Sequence, residues 1–137
     1  MKYIYDYITD EEYKCPHCKF YPPDFFVNDI KEPFRDLFHK FKMIRKEWGT
    51  PILITSGYRC PFHNNEIGGS LASVHMFGLA FDLLPREKSI DMLFNHVENM
   101  YPELRIGKYS THIHIDNGYK IKPRASHTWQ EGARWRK

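Results

Sequence analysis

Within Thr111-His112-Ile113-His114-Ile115-Asp116, polar and apolar residues alternate strictly from His112 to Asp116. Such a pattern suits a strand with one face in the core, and it gathers His112, His114 and Asp116 on the other face. A second stretch, Ser73 to Asp82, sets His75 and Asp82 seven residues apart across Gly78. Either alone is a weak signal, because a histidine among apolar residues is more often packed and hydrogen-bonded than bound to metal. Together they can bring three ligands of mixed nitrogen and oxygen type to one point. Zinc accepts histidine nitrogen and carboxylate oxygen, and a catalytic zinc takes three protein ligands and leaves a fourth position for water.

The rest of the chain supplies elements to carry such a site. At 137 residues it suits one domain, 1–137, with a single real core. Ile30, Phe34, Leu37, Phe38, Phe41, Ile44 and Trp48 recur at steps of three and four, which predicts a helix from Asn28 to Trp48. Asn28 or Asp29 is its expected cap, Pro33 is tolerated in the first turn, and Gly49 ends it. Pro51–Thr55 reads as a buried strand that delivers Ser56-Gly57-Tyr58-Arg59 to its end. Leu79–Leu84 reads as a second strand and Lys88–Met100 as a second helix. His39, His96 and His127 read as solvated. From Arg105 the chain returns to strands, and Asn117-Gly118 predicts a type I′ hairpin joining His112–Asp116 to Tyr119–Lys122.

Two cysteine-bearing pairs share one spacing, Cys15-Pro16-His17-Cys18 in the N-terminal segment (1–28) and Cys60-Pro61-Phe62-His63. A closed structural zinc site of Cys15, Cys18, Cys60 and His63 is one reading, with His17 able to replace His63. Three partly buried thiols is the other. The formal charge of +3 belongs to the end of the chain. From Lys120 onward six basic residues face one acid, and the rest carries 14 basic and 16 acidic residues. A solvated basic tail (123–137) explains this; adhesion to anionic wall polymers, or to nucleic acid, is the sharper alternative. No apolar run is long enough to span a membrane, and Met1–Tyr7 turns polar before a secretory signal could form. Synthesis and retention in the cytoplasm are therefore expected.

Ser56-Gly57-Tyr58-Arg59, Asn64, Gly68-Gly69, Ser73 to Asp82 and His112-x-His114 together resemble the zinc D-Ala-D-Ala peptidase family, M15. The likeness is to its small phage and bacterial members that cut peptidoglycan peptides, and it runs from about Pro51 to Asp116. It implies one catalytic zinc on His75, Asp82 and His114. It also implies that Arg59 approaches the scissile carbonyl and that Ser73 and Tyr109 lie near substrate. His112 becomes the first candidate for proton transfer, with a reference pKa suited to that work. Many members place a carboxylate where this chain has Thr111, so the base is the point of departure; Asp116 and Glu103 are the alternatives. Asp116 can instead orient a ligating histidine. The expected fold is α+β, a small antiparallel sheet carrying the ligands against two main helices, an architecture that composition alone does not determine.

The expected protein is thus a monomeric zinc peptidase acting on peptidoglycan stem peptides, as an endolysin-type endopeptidase or a D-Ala-D-Ala carboxypeptidase. It would act on the wall after release by another route. A non-catalytic, zinc-bearing wall-binding domain is the alternative. A nucleic-acid-binding zinc module is more remote, since it leaves the His75, Asp82 and His114 pattern unexplained and lacks a basic recognition helix.

Overall fold

The computed structural model describes residues 1–25, 30–121 and 129–137. A two-stranded ribbon, β1 (Tyr3–Tyr5) with β2 (Ile8–Thr9), leads into a single helical turn, α1 (Asp10–Tyr13). That turn starts on a complete capping box. Thr9 Oγ1 accepts from the Glu12 N–H while the Glu12 carboxylate accepts from the Thr9 N–H. The main helix follows as α2 (Phe34–Trp48), and Gly49 closes it in the left-handed region at φ 84°. It starts later than its apolar periodicity predicts. Pro33 occupies the cap position instead of the first turn, and the expected caps Asn28 and Asp29 lie outside the described residues.

The remaining elements are β3 (Ile52–Ser56), α3 (Pro61–Glu66), β4 (Ala80–Pro85), α4 (Ile90–Met100), β5 (Arg105–Lys108), β6 (Ile113–Asp116) and β7 (Arg134–Arg136). Five strands form one sheet in the order β3-β4-β6-β5-β7. All neighbours are antiparallel except β5 and β7, which run parallel. The fold is therefore α+β, as expected, with one parallel strand added at the edge. No helix among the described residues is long and apolar enough to cross a membrane.

Alternation divides the sheet into a greasy face and a polar one. Phe81, Leu83, Ile113 and Ile115 are fully buried on one side. There they meet Phe38 and Phe41 of α2, whose rings lie 5.5 and 5.7 Å from that of Phe81. Each buried side chain of this size contributes roughly 1.5–3 kcal/mol. The opposite face carries Asp82 and His114, which pair directly across β4 and β6, while Ser56 sits opposite Asp82 and Gly107 opposite His114. Slipping β6 by one residue would bury both histidines in the aromatic core. The core thus selects the register that assembles the polar face.

The hairpin predicted at Asn117-Gly118 does not form. Both edges of β6 are taken, by β4 and β5, so a returning strand has nowhere to pair. The chain instead turns through a 3₁₀ segment, Gly118–Lys120. The Asp116 carboxylate accepts from the Gly118 N–H, and the Asn117 amide donates to the Pro33 carbonyl and to Asp36. Residues 122–128 lie outside the described part, and with them His127. The tail beyond them packs back. Trp129 is buried and donates to the Ala72 carbonyl, and β7 adds the fifth strand. His39 is exposed as expected; His96 is not free, since its Nε2 lies 3.0 Å from the Ile44 carbonyl oxygen, beside Trp48.

Candidate metal centre

His75 sits in a 3₁₀ turn, Val74–Phe77, that the sequence closes at both ends. Ser73 Oγ caps it by accepting from the His75 N–H at 3.2 Å, and Gly78 ends it at φ 73°. Any side chain at Gly78 would be strained there. A Cβ would also fall 2.4 Å from the Tyr13 hydroxyl oxygen, which donates to the Gly78 carbonyl. The turn therefore aims His75 at the polar face of the sheet, where β4 supplies Asp82 and β6 supplies His114. One donor atom from each of these three buried residues lies within 4.8 Å of the other two.

The inner atoms are His75 Nε2, Asp82 Oδ1 and His114 Nδ1. The carboxylate oxygen is 3.1 Å from the first nitrogen and 3.2 Å from the second. The outer nitrogens have fixed partners. His75 Nδ1 donates to the Gly57 carbonyl at 2.7 Å, and His114 Nε2 donates to Asp116 Oδ2 at 2.6 Å. A carbonyl accepts only, so neutral His75 must present a lone pair at Nε2. Burial pushes the His75 pKa down and keeps it neutral. Three donor atoms thus converge on one point, where they could hold a cation.

The metal-free electrostatics point the same way. Burial alone would lower His114, but Asp116 and Asp82 outweigh it and raise its pKa to about 9. Burial would likewise raise the Asp82 carboxyl, yet the hydrogen bond from the His114 imidazole helps hold it far below the usual carboxylate range. A proton on His114 then stands where a metal would bring positive charge. Two imidazole nitrogens and one carboxylate, each imidazole oriented from behind by an oxygen, fit zinc in donor type and in the way the donors are held.

Arg59 lies beside this centre. Its guanidinium donates to Asp82 Oδ2 at 3.0 Å, to Ser56 Oγ at 3.0 Å and to Asn64 Oδ1 at 3.4 Å. Its backbone N–H bonds the His75 carbonyl, so loop and turn are joined twice. His112 stands just before β6 in the tight β5–β6 turn. Its Nε2 is 3.7 Å from Asp82 Oδ1, Thr111 Oγ1 contacts its Nδ1 at 2.9 Å, and its ring stacks on Tyr109 at 4.3 Å. A cleft of about 530 Å³ runs over the centre, lined by Arg59, Ser73, Tyr109 and His112 among others.

Not every candidate keeps its expected role. Asp116 is fully buried, and its carboxylate is engaged by His114, Arg105 and the Gly118 N–H, which places it behind His114 and not in front of the cleft. Glu103 does not line the cleft; it pairs with Lys40 at 3.1 Å. The Ser73 hydroxyl accepts from the His75 N–H, which leaves its own hydrogen free to be donated in the cleft that it lines. Thr111, without a carboxylate, still holds His112. The cysteines of the two pairs meet away from this cleft, and neither His17 nor His63 is among the clustered ligand atoms.

Three contributors escaped sequence reasoning: the Gly57 carbonyl, Arg105 and Trp135. A main-chain oxygen has no sequence signature. Trp135 lies over His114 at 5.2 Å and donates to the Tyr109 hydroxyl, which it reaches only because β7 joins the sheet in parallel. Arg105 is the exception, since β5–β6 pairing places it opposite Asp116.

The profile of the family described as Peptidase M15 matches residues 24–116, more than half of the chain. No curated protein matches it.

Proposed function

Since the chain belongs to the peptidase M15 family, we propose that it is a zinc peptidase that hydrolyses a peptide bond in peptidoglycan stem peptides. One observation carries the reading: His75 Nε2, Asp82 Oδ1 and His114 Nδ1 converge at the base of a cleft, with both outer imidazole nitrogens already bonded. A zinc ion held by these atoms supplies Lewis acidity, activating water near neutral pH and polarising the carbonyl.

The protein's own groups do the rest. Arg59 keeps one arm on Asp82 and faces the cleft, where a guanidinium that is always charged can hold a peptide carboxylate or carbonyl oxygen and stabilise charge developing there. His112 is the proton carrier. Burial holds it below the ordinary imidazole range, and Thr111 and Tyr109 fix its ring with Nε2 toward the centre. Asp116 and Gly57 maintain the ligand tautomers. Tyr109, half-buried and tied to Trp135, forms one wall for the substrate.

The cationic lining, Arg59, Arg105 and Lys137, suits a short peptide bearing carboxylates. Incubation with purified peptidoglycan and, separately, with a soluble stem pentapeptide ending in D-Ala-D-Ala tests the proposal. Release of terminal D-Ala identifies a carboxypeptidase, and cleavage confined to the intact wall polymer an endopeptidase. No cleavage of either by zinc-loaded protein would remove the proposal and leave the non-catalytic wall-binding alternative, which the absence of a carboxylate at Thr111 favours.

A further inference from the structure

We propose that Cys15, Cys18 and Cys60, with His17 as fourth donor, form a second metal centre, a closed structural zinc site that clamps the N-terminal segment to the loop before α3. The three sulfurs lie within 4.8 Å of one another, although Cys60 is far from the other two in sequence. His17 stands outside that three-sulfur group, but its Nδ1 is 3.8 Å from Cys60 Sγ. With zinc–sulfur bonds of about 2.3 Å and zinc–nitrogen bonds of about 2.0–2.1 Å, the matching edge of a tetrahedron is roughly 3.6 Å. The His63 ring, the other sequence candidate, makes no such approach. It stacks behind His17, while the His63 backbone N–H donates to Cys60 Sγ.

The surroundings are built for thiolates. The Cys60 N–H donates to Cys15 Sγ at 3.4 Å, the His63 N–H to Cys60 Sγ at 3.4 Å, and the Phe20 N–H serves Cys18. The turn that presents the CxxC pair closes through Lys19 N–H to the Cys15 carbonyl at 2.8 Å, with Lys19 at φ 66°. A non-glycine residue in that region is uncommon, and here it folds the chain back beneath the two sulfurs. All three cysteines are free thiols. Thiolate with imidazole selects zinc over hard cations.

The clamp has a reason in the fold. The Tyr58 N–H bonds the Tyr13 carbonyl at 2.7 Å, and a Cβ at Gly57 would lie 2.7 Å from that same oxygen. Gly57 is thus pressed against the N-terminal segment while its carbonyl orients His75. Cys15 and Cys18 lie outside the stretch matched by the family, so the centre does not follow from family membership and stands independently of catalysis.

The test uses the full chain loaded with Co²⁺. Two metals per chain and a thiolate-to-cobalt charge-transfer absorption in the near ultraviolet are expected. The absorption should persist in His75→Ala and vanish in Cys15→Ser/Cys18→Ser. His17→Ala should speed metal loss to a chelator by at least about 10-fold, the lower bound for an outer-shell partner, and His63→Ala should not. Should the double variant fail to fold, thiol titration of the zinc-loaded wild type decides. Three thiols should react only after unfolding with chelator. Absence of the charge-transfer absorption in the cobalt-loaded wild type, fewer than three titratable thiols, or metal loss in His63→Ala but not in His17→Ala would each overturn the proposal.

Discussion

Asp116 shows how one residue can govern the centre without touching what is bound there. It is fully buried, yet its charge is offset three times, by His114 Nε2, by Arg105 Nε at 3.0 Å and by the Gly118 N–H. Its carboxylate fixes which nitrogen of His114 carries the outer proton. Asp116→Asn keeps the shape and removes the charge, so zinc affinity should fall by about 10–100-fold, as for other outer-shell partners; a competition titration against a chelating dye measures it. His112 is the contrasting case. It is half-exposed, is held by Thr111 and Tyr109, and is not one of the three converging ligands. His112→Ala should therefore retain zinc and fold while kcat falls by roughly 10²–10⁴-fold, the range for a lost general acid–base group. Stopped assays on metal-quantified protein would show it, and near-normal turnover would end the assignment.

At the scale of elements, β6 links core and chemistry through its period of two. Its apolar face sets the register, and the register sets Asp82 opposite His114. This much was legible in the sequence, because alternation and the His75 to Asp82 spacing are local. What depends on partners was not. Asn117-Gly118 carries a strong hairpin signal, but a strand already paired on both edges overrules it. The tail gave no period to read, yet β7 closes the sheet and brings Trp135 over His114 and over Arg105, 5.1 Å from its guanidinium carbon. Half-covered indole burial of roughly 1–2 kcal/mol and a cation–π contact of about 0.5–1 kcal/mol suggest that Trp135→Ala destabilises the fold by about 2 kcal/mol. Because Tyr109 also loses its anchor, KM should rise more than kcat changes. Thermal melts and steady-state kinetics on one preparation separate the two effects.

Across the whole molecule, one sheet separates two tasks. Its apolar face rests on the aromatic packing of Phe38, Phe41 and Phe81, and its polar face carries two of the three ligands. The third, His75, comes from a turn fastened to the N-terminal segment through Tyr13 and to the Gly57 loop. The rigid core thereby holds donors in place before any ion arrives, the kind of preorganisation that a metal site needs. The most direct measurement is stem-peptide and peptidoglycan hydrolysis by wild-type protein and His114→Ala, each assayed as purified, after chelation and after zinc is restored, with zinc counted in every sample. Activity should vanish on chelation and return with zinc in the wild type, while His114→Ala stays inactive and has lost the zinc of this centre. Hydrolysis that survives complete removal of zinc, or a fully active His114→Ala, would contradict the account.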